Sequence, residues 1–363
     1  MRKLEAKPGP IFQINEFIYR ITLPQPFYAP NQVYLIRDEK TMLIDSGYVE
    51  SLGMLALSLR ELNLAMNNID ILLYTHPHLD HITGGLLWNT YAKKTERWGH
   101  YRMPQDIPDY PEFTNNWQQD TARILTRAFK DKQARNARIR RSNERWARFI
   151  KRFKTTPTRL SHLAQGDSAS GSQKQSSKMG DRAVRLERLL KDGDTFSTGK
   201  LHWKIYETPG HNTWHITPVE TTQGFAFTGD LLIGNIPAIY DNFDGNLELY
   251  QKSLLLLLSL REENPTMRFL PAHGNEIENP ERTIKVLQKT LGILENGILK
   301  KLVEGRKDLV ILLESAFGTK IESGGLFVAA LELLEALLRK LIREGRVGSQ
   351  VYEDGYEEFY LKH

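Results

Sequence analysis

The sequence predicts an α/β protein of two sheets with helices packed outside them, and three observations carry that prediction. Short runs rich in β-branched and aromatic residues precede helix-patterned segments, and they do so twice along the chain. A strongly basic block separates the two occurrences of that order. Towards the end the pattern changes to helical spacing and then to strict alternation.

Taken in order, residues 12–23, 32–37 and 41–45 read as strands, 51–64 as a helix and 71–75 as a buried strand. Beyond the basic block, strands are expected at 201–208, 215–219 and 224–228, followed by a Leu-rich helix at 247–260 and a strand at 267–271. From about residue 295 the spacing gives helices at 298–303 and 309–316, then Phe327, Ala330, Leu334, Leu337, Leu338 and Leu341 on one helical face. Residues 346–361 alternate like a hairpin with Asp354-Gly355 at the turn. The expected organisation is therefore a main domain at 1–295 and a small winged-helix-like domain at 296–363. The latter carries 10 basic and 11 acidic residues, so a packing or homodimer role suits it better than general DNA binding.

Composition narrows the chemistry. At 363 residues, 40% hydrophobic and 26% charged, the chain can bury a large core over two to three domains. It has no cysteine, which excludes disulfides, thiolate metal cages and a thiol nucleophile, so any metal must be held by His and carboxylates. No apolar run has the length of a membrane span, and the basic residues near the start precede no apolar segment. The reading is cytoplasmic.

Charge is unevenly spread. Residues 93–191 hold 24 Lys and Arg against 10 Asp and Glu, and the rest of the chain holds 25 against 34. Within that insertion, 123–154 has 13 basic and 2 acidic residues interleaved with aromatics, which reads as basic amphipathic helix. The Ser/Gly/Gln-rich stretch 165–177 that follows cannot bury enough apolar area to offset its ordering entropy, and a mobile loop is expected there. The basic segment is either a solvated insertion covering the main domain, a surface for RNA or another anionic partner, or a membrane-surface contact.

The chemistry concentrates in Thr75-His76-Pro77-His78-Leu79-Asp80-His81, placed straight after a predicted buried strand. Imidazoles and a carboxylate so closely spaced meet the needs of borderline-soft divalent metals. One short loop cannot complete two coordination spheres, and further donors do stand at predicted strand ends: His211 after Gly210, Asp230 after Gly229, and His273 before Gly274. Tyr240 and His215 are conceivable proton donors.

These motifs, in this order over about residues 10–295 apart from the insertion, resemble the metallo-β-lactamase superfamily, in particular its glyoxalase II and lactamase-β-like hydrolases. The resemblance implies a four-layer αββα sandwich. It also implies that His76, His78 and His211 hold one metal, that Asp80, His81 and His273 hold a second, and that Asp230 bridges them. Asp45, in Ile44-Asp45-Ser46-Gly47, matches an early acidic position that orders the site by hydrogen bonds rather than by ligation. Two divalent ions, zinc by default with iron or manganese as alternatives, would make a shared water acidic enough to attack near neutral pH and polarise the bond under attack. Asp80 would orient that hydroxide. The same ligands serve thioesterases, lactonases and nucleases in this superfamily, whereas its true β-lactamases commonly carry Cys where Asp230 stands. The expected reaction is hydrolysis of a small ester, thioester or lactone; the alternative is metal-dependent cleavage of single-stranded RNA, since segment 337–347 resembles the last helix and wing of related endoribonucleases.

Overall fold

The computed structural model describes residues 7–25, 29–103, 119, 121–153, 185–239, 245–317 and 325–362. Among these, seven strands form the first sheet in chain order: β1 (Ile11–Gln13), β2 (Ile18–Leu23), β3 (Asn31–Arg37), β4 (Thr41–Ile44), β5 (Ile71–Leu73), β6 (Glu96–His100) and β7 (Arg188–Leu190). β1 to β4 pair antiparallel, and β4 to β7 pair parallel. The second sheet has the order β12-β11-β10-β9-β8, from β8 (Thr195–Ser197), β9 (His202–Glu207), β10 (Ile216–Glu220), β11 (Phe225–Gly229) and β12 (Arg268–Pro271). It is antiparallel except for the parallel pair β11–β12.

Strand periodicity sorts the core into layers. Tyr34, Ile36, Met42, Ile44, Ile71 and Leu73 of the first sheet meet Trp203, Ile205, Ile216, Phe225, Phe227 and Leu270 of the second in one apolar layer between the sheets. Their neighbours Val33, Leu35, Leu43 and Leu72 face the other way, onto Leu52, Leu55 and Leu59 of α1 (Leu52–Glu61). Val219, Ala226 and Phe269 likewise turn outward onto α5 (Leu247–Glu263) and α6 (Pro280–Leu302). The result is the expected four-layer αββα sandwich. β3, buried on both faces apart from its last residue, lacks the half-polar alternation of a surface strand for this reason.

Between these come α2 (Leu79–Ile82), α3 (Gly85–Tyr91) and α4 (Lys132–Phe153), and beyond them α7 (Leu309–Phe317) and α8 (Gly325–Arg343). The chain closes with a three-stranded antiparallel sheet of order β13-β15-β14, formed by β13 (Lys307–Asp308), β14 (Val347–Val351) and β15 (Glu357–Leu361). No helix among the described residues is long and apolar enough to cross a membrane.

Three expectations need correction. The single strand at 12–23 is two strands, because the Asn15 side chain accepts the backbone N–H of Phe17 (2.9 Å) and of Ile18 (2.7 Å) and turns the chain. The insertion is narrower than 93–191, since β6 and β7 lie inside that span and pair with each other in the main sheet. Two of its charges belong to that sheet: buried Arg97 pairs with Glu187, and Arg188 covers the Trp98 ring at 4.4 Å. The boundary at 295–296 falls inside α6, which starts at Pro280 with the Asn279 side chain accepting the Arg282 N–H (2.9 Å) and runs unbroken to Leu302. Leu312, Leu331 and Phe359 of the terminal unit share one apolar cluster with Leu254 and Phe269 of the main domain. The expected mobile loop at 165–177, Lys154 and Tyr240 lie outside the described residues.

Candidate metal centre

Five strands end at one edge of the sandwich, and each delivers part of the site. β4 and β5 run parallel, as do β11 and β12, while β9 shares the direction of β11 through two antiparallel pairings. Asp45 follows β4, His76 and His78 follow β5, His211 follows β9, Asp230 follows β11 and His273 follows β12. His78 lies in extended backbone, and the single turn of α2 that starts just after it carries Asp80 and His81. Glycine is required at two of these corners. Gly210 has φ +140° and a Cβ there would come within 2.2 Å of the Tyr250 backbone; at Gly229, φ +49°, it would meet His215 Nε2 at 2.5 Å.

All seven expected donors converge. Nε2 of His211 stands 3.2 Å from Nε2 of His76, 2.9 Å from Nδ1 of His78 and 3.5 Å from Oδ2 of Asp230. In the second group, Nε2 of His273 lies 3.0 Å from Oδ2 of Asp80, and Nε2 of His81 lies 3.6 Å from Oδ1 of the same carboxylate. Asp230, already 3.5 Å from His211, also reaches this second group, with Oδ2 3.4 Å from His273 Nε2 and Oδ1 3.5 Å from His81 Nε2. Bonds of about 2.0–2.1 Å to a tetrahedral ion separate its donors by about 3.3–3.4 Å, so these spacings are those of ligand polyhedra.

Hydrogen bonds on the far side of four of the rings, those of His76, His81, His211 and His273, decide which nitrogen faces inward. His211 Nδ1 donates to the Ala238 carbonyl (2.8 Å), His273 Nδ1 to the Ala29 carbonyl (3.1 Å) and His81 Nδ1 to Asp45 Oδ2 (2.8 Å). The Thr75 hydroxyl donates to Asp45 (2.9 Å) and therefore accepts from His76 Nδ1 (3.0 Å). Asp45 also accepts the Thr75 N–H (2.8 Å), and its backbone takes φ +62° to present the carboxylate to both groups. In consequence the inward nitrogens of His76 and His211 direct lone pairs at each other. His81 Nε2 and Asp230 Oδ1 are buried with no hydrogen bond. A divalent cation in each group removes both conflicts, and the residues present fit such ions.

Electrostatics divides the two groups. Burial pushes His78 down to about 4 and His211 down to about 3, so both are neutral ligands at physiological pH. Burial also opposes charge on His273, but the carboxylates of Asp230 and Asp80 outweigh it and raise that imidazole to about 10. His81 is raised for the same reason, by Asp80 and Asp230 first among its neighbours, against the effect of burial. Positive charge is needed in this half, as a proton or as a metal.

His215 is wholly buried, with Nδ1 2.8 Å from the Thr208 hydroxyl and its ring 5.1 Å from that of His76. Its other ring nitrogen, Nε2, is buried without a hydrogen bond. Sequence reasoning missed Asn31. Its Nδ2 donates to the Asp80 carbonyl (2.8 Å) and to Asp80 Oδ2 (3.3 Å), and its buried Oδ1 makes no hydrogen bond. The available signal was a pair of amides, Asn31 and Gln32, opening a strand whose next four residues are apolar or aromatic.

The sequence pattern of the metallo-beta-lactamase superfamily matches residues 28–273. The Beta-lactamase-like protein 2 homolog of Drosophila melanogaster is 28% identical over 179 residues, 49% of this chain and 57% of that protein. A hydroxyacylglutathione hydrolase of Legionella pneumophila (strain Lens) is 34% identical over 103 residues, 27% of this chain and 37% of that enzyme. The chain thus spans less than two thirds of either relative. A metallo-beta-lactamase family protein from Thermus thermophilus shares the fold with a TM-score of 0.64 at 17% identity, over 96% of this chain and 100% of that one. By the family pattern, which extends over most of its length, this chain is a member of the metallo-beta-lactamase superfamily.

Proposed function

We propose that this protein is a dinuclear metal-dependent hydrolase of a small ester, thioester or lactone. The observation that carries the reading is Asp230, whose carboxylate stands within 3.5 Å of histidines from both donor groups. His76, His78, His211 and Asp230 would hold one ion and Asp80, His81 and His273 the other, with Asp230 near enough to serve both and zinc the default for these donors. When bound, the two cations supply a water acidic enough to attack near neutral pH and a polarised carbonyl.

The chain's own groups do the rest. Asp80 accepts the hydrogen bond of the attacking water and so aims it at the acyl carbon. Asn31 and the Gln25 amide, 3.4 Å from Asp80 Oδ2, hold that carboxylate in place. Asp45 fixes the tautomers of His81 directly and of His76 through Thr75, keeping Nε2 of each ring available. The terminal helices and hairpin act as a winged-helix-like packing unit.

Endoribonuclease action is the second reading, favoured by the basic helix α4. The two separate on salt. Hydrolysis of a small neutral ester is expected to be nearly insensitive to ionic strength, whereas RNA cleavage falls steeply as salt rises because phosphate contacts release counterions. Metal-loaded protein that hydrolyses no small ester, thioester or lactone yet cleaves single-stranded RNA, with Asp80→Ala inactive, would overturn the first reading.

A further inference from the structure

The basic helix is not a free arm. Before it, Ile124, Leu125 and Ala128 are buried in the apolar cluster that holds the terminal unit. Arg127 pairs there with Glu335 and Glu357, both buried, and Arg339 binds the same two carboxylates. Arg138 of α4 covers the rings of Phe129 (4.9 Å) and Phe327 (4.2 Å). At its other contact α4 packs on the turn Val49–Ser51. That turn is tied to the metal loop: Val49 N–H donates to the Thr83 hydroxyl (3.1 Å), Gly84 N–H to the Gly47 carbonyl (2.8 Å) and Ser46 N–H to the His81 carbonyl (2.7 Å). The fold therefore connects this helix, through that turn, to the segment that carries Asp80 and His81.

Its outer face is cationic. Arg140, Arg148 and Lys151 lie on one stripe at helical spacing with Arg141 next to it, all exposed, and Glu144 is the one acidic residue of the helix. Among the described residues none of these four cations meets a carboxylate at ion-pair distance. From residue 140 to 151 the stripe is about 16 Å long, the reach of a few phosphates. Outside residues 93–191 the chain has 34 acidic and 25 basic residues, so an extended polyanion running past the helix is repelled while a short one is not.

The geometry points to a substrate with a phosphorylated carrier: an acyl thioester whose thiol part bears phosphates, held by Arg140, Arg141, Arg148 and Lys151 while its acyl carbon enters the metal centre. This rests on the hydrolase reading above and names its substrate class. Water adds to the acyl carbon and the carbon–sulfur bond breaks, leaving a carboxylic acid and a thiol that takes up one of the water's protons; no other reactant is needed.

The test pairs two thioesters of the same acyl group, acetyl-coenzyme A and the phosphate-free acetyl-N-acetylcysteamine, with the full metal-loaded chain and its R140E/R141E/R148E variant. Binding of adenosine 3′,5′-diphosphate is measured by calorimetry on both proteins, and thermal unfolding and metal content check that the variant is folded. The wild type is expected to prefer the phosphorylated thioester in kcat/KM, and charge reversal to cut that preference and the diphosphate affinity by about tenfold or more, both declining with salt. Equal efficiency on the two thioesters in the wild type, with no diphosphate binding, would overturn this inference and leave the hydrolase reading standing. So would a variant that loses only retention of a single-stranded oligoribonucleotide, which makes RNA the occupant. Hydrolysis of neither thioester, with diphosphate still bound, would overturn the thioesterase reading itself.

Discussion

The metal centre and the basic helix both concentrate charge, and they handle it in opposite ways. At the centre the rings of His76, His81, His211 and His273 are each oriented by a named partner, the carboxylates are buried, and neighbouring groups bear on the protonation states. On α4, Arg140, Arg141, Arg148 and Lys151 face water on long side chains, and among the described residues none of them meets a carboxylate at ion-pair distance. The first arrangement suits bond breaking, where donor positions count to fractions of an ångström; the second suits capture, where a field is enough. The difference teaches that, under the reading proposed above, reaction type and choice of molecule would fall to separate elements, which meet at the Val49–Ser51 turn.

Asp230→Ala is the largest expected break in that comparison. Losing the shared carboxylate should lower hydrolytic turnover by about a thousandfold or more and reduce bound metal by at least one ion per chain, read by elemental analysis beside a steady-state assay. Full activity with two metals retained would remove Asp230 from the centre.

Arg127→Ala attacks the other region. It should destabilise the fold by about 2–3 kcal/mol, below the usual range for orphaning a buried charge because Arg339 still meets Glu335 and Glu357. Denaturant titration measures it. An unchanged midpoint would mean that the insertion is not anchored through these carboxylates.

Asp45→Asn tests orientation without removing a ligand. Metal affinity should weaken by about 10–100-fold, as for other outer partners of metal-bound histidines, while far-UV spectra stay those of the wild type. Chelator competition gives the number. Asn31→Ala should have the smallest effect, about a tenfold loss of kcat with metal content preserved, in keeping with one or two hydrogen bonds to an ionised carboxylate. A change confined to KM would move Asn31 from holding Asp80 to contacting substrate.

Much of the centre could be read from the chain because the candidate donors stand where strands end, and strand ends carry visible signals. The His76 to His81 string and the Gly neighbours of His211, Asp230 and His273 are local features, and so is Asp45 after an apolar run. Asn31 was hidden because its role depends on the Asp80 side chain, 49 residues away, reaching the start of β3. The anchoring of the insertion was hidden more deeply: Arg127 and Glu357 are 230 residues apart, and neither differs locally from a surface charge. The insertion's limits were misplaced because Arg97 and Arg188 add to its charge while lying on paired strands. The terminal boundary was misplaced because Gly292 and Gly297, whose added Cβ would meet nothing, interrupt the pattern of a helix that tolerates them.

Helix α6 has a bearing on how this architecture is inherited. One continuous helix packs Ile284 and Leu287 towards the main domain's outer layer and extends through Ile298 and Leu302 into the cluster that includes Leu312 and Phe359. The terminal unit is therefore no exchangeable cassette. A recombination or truncation at residue 295 would split a helix and strip apolar cover from both sides, so a natural or engineered junction belongs upstream of Asn279, where the capping residue starts the helix anew.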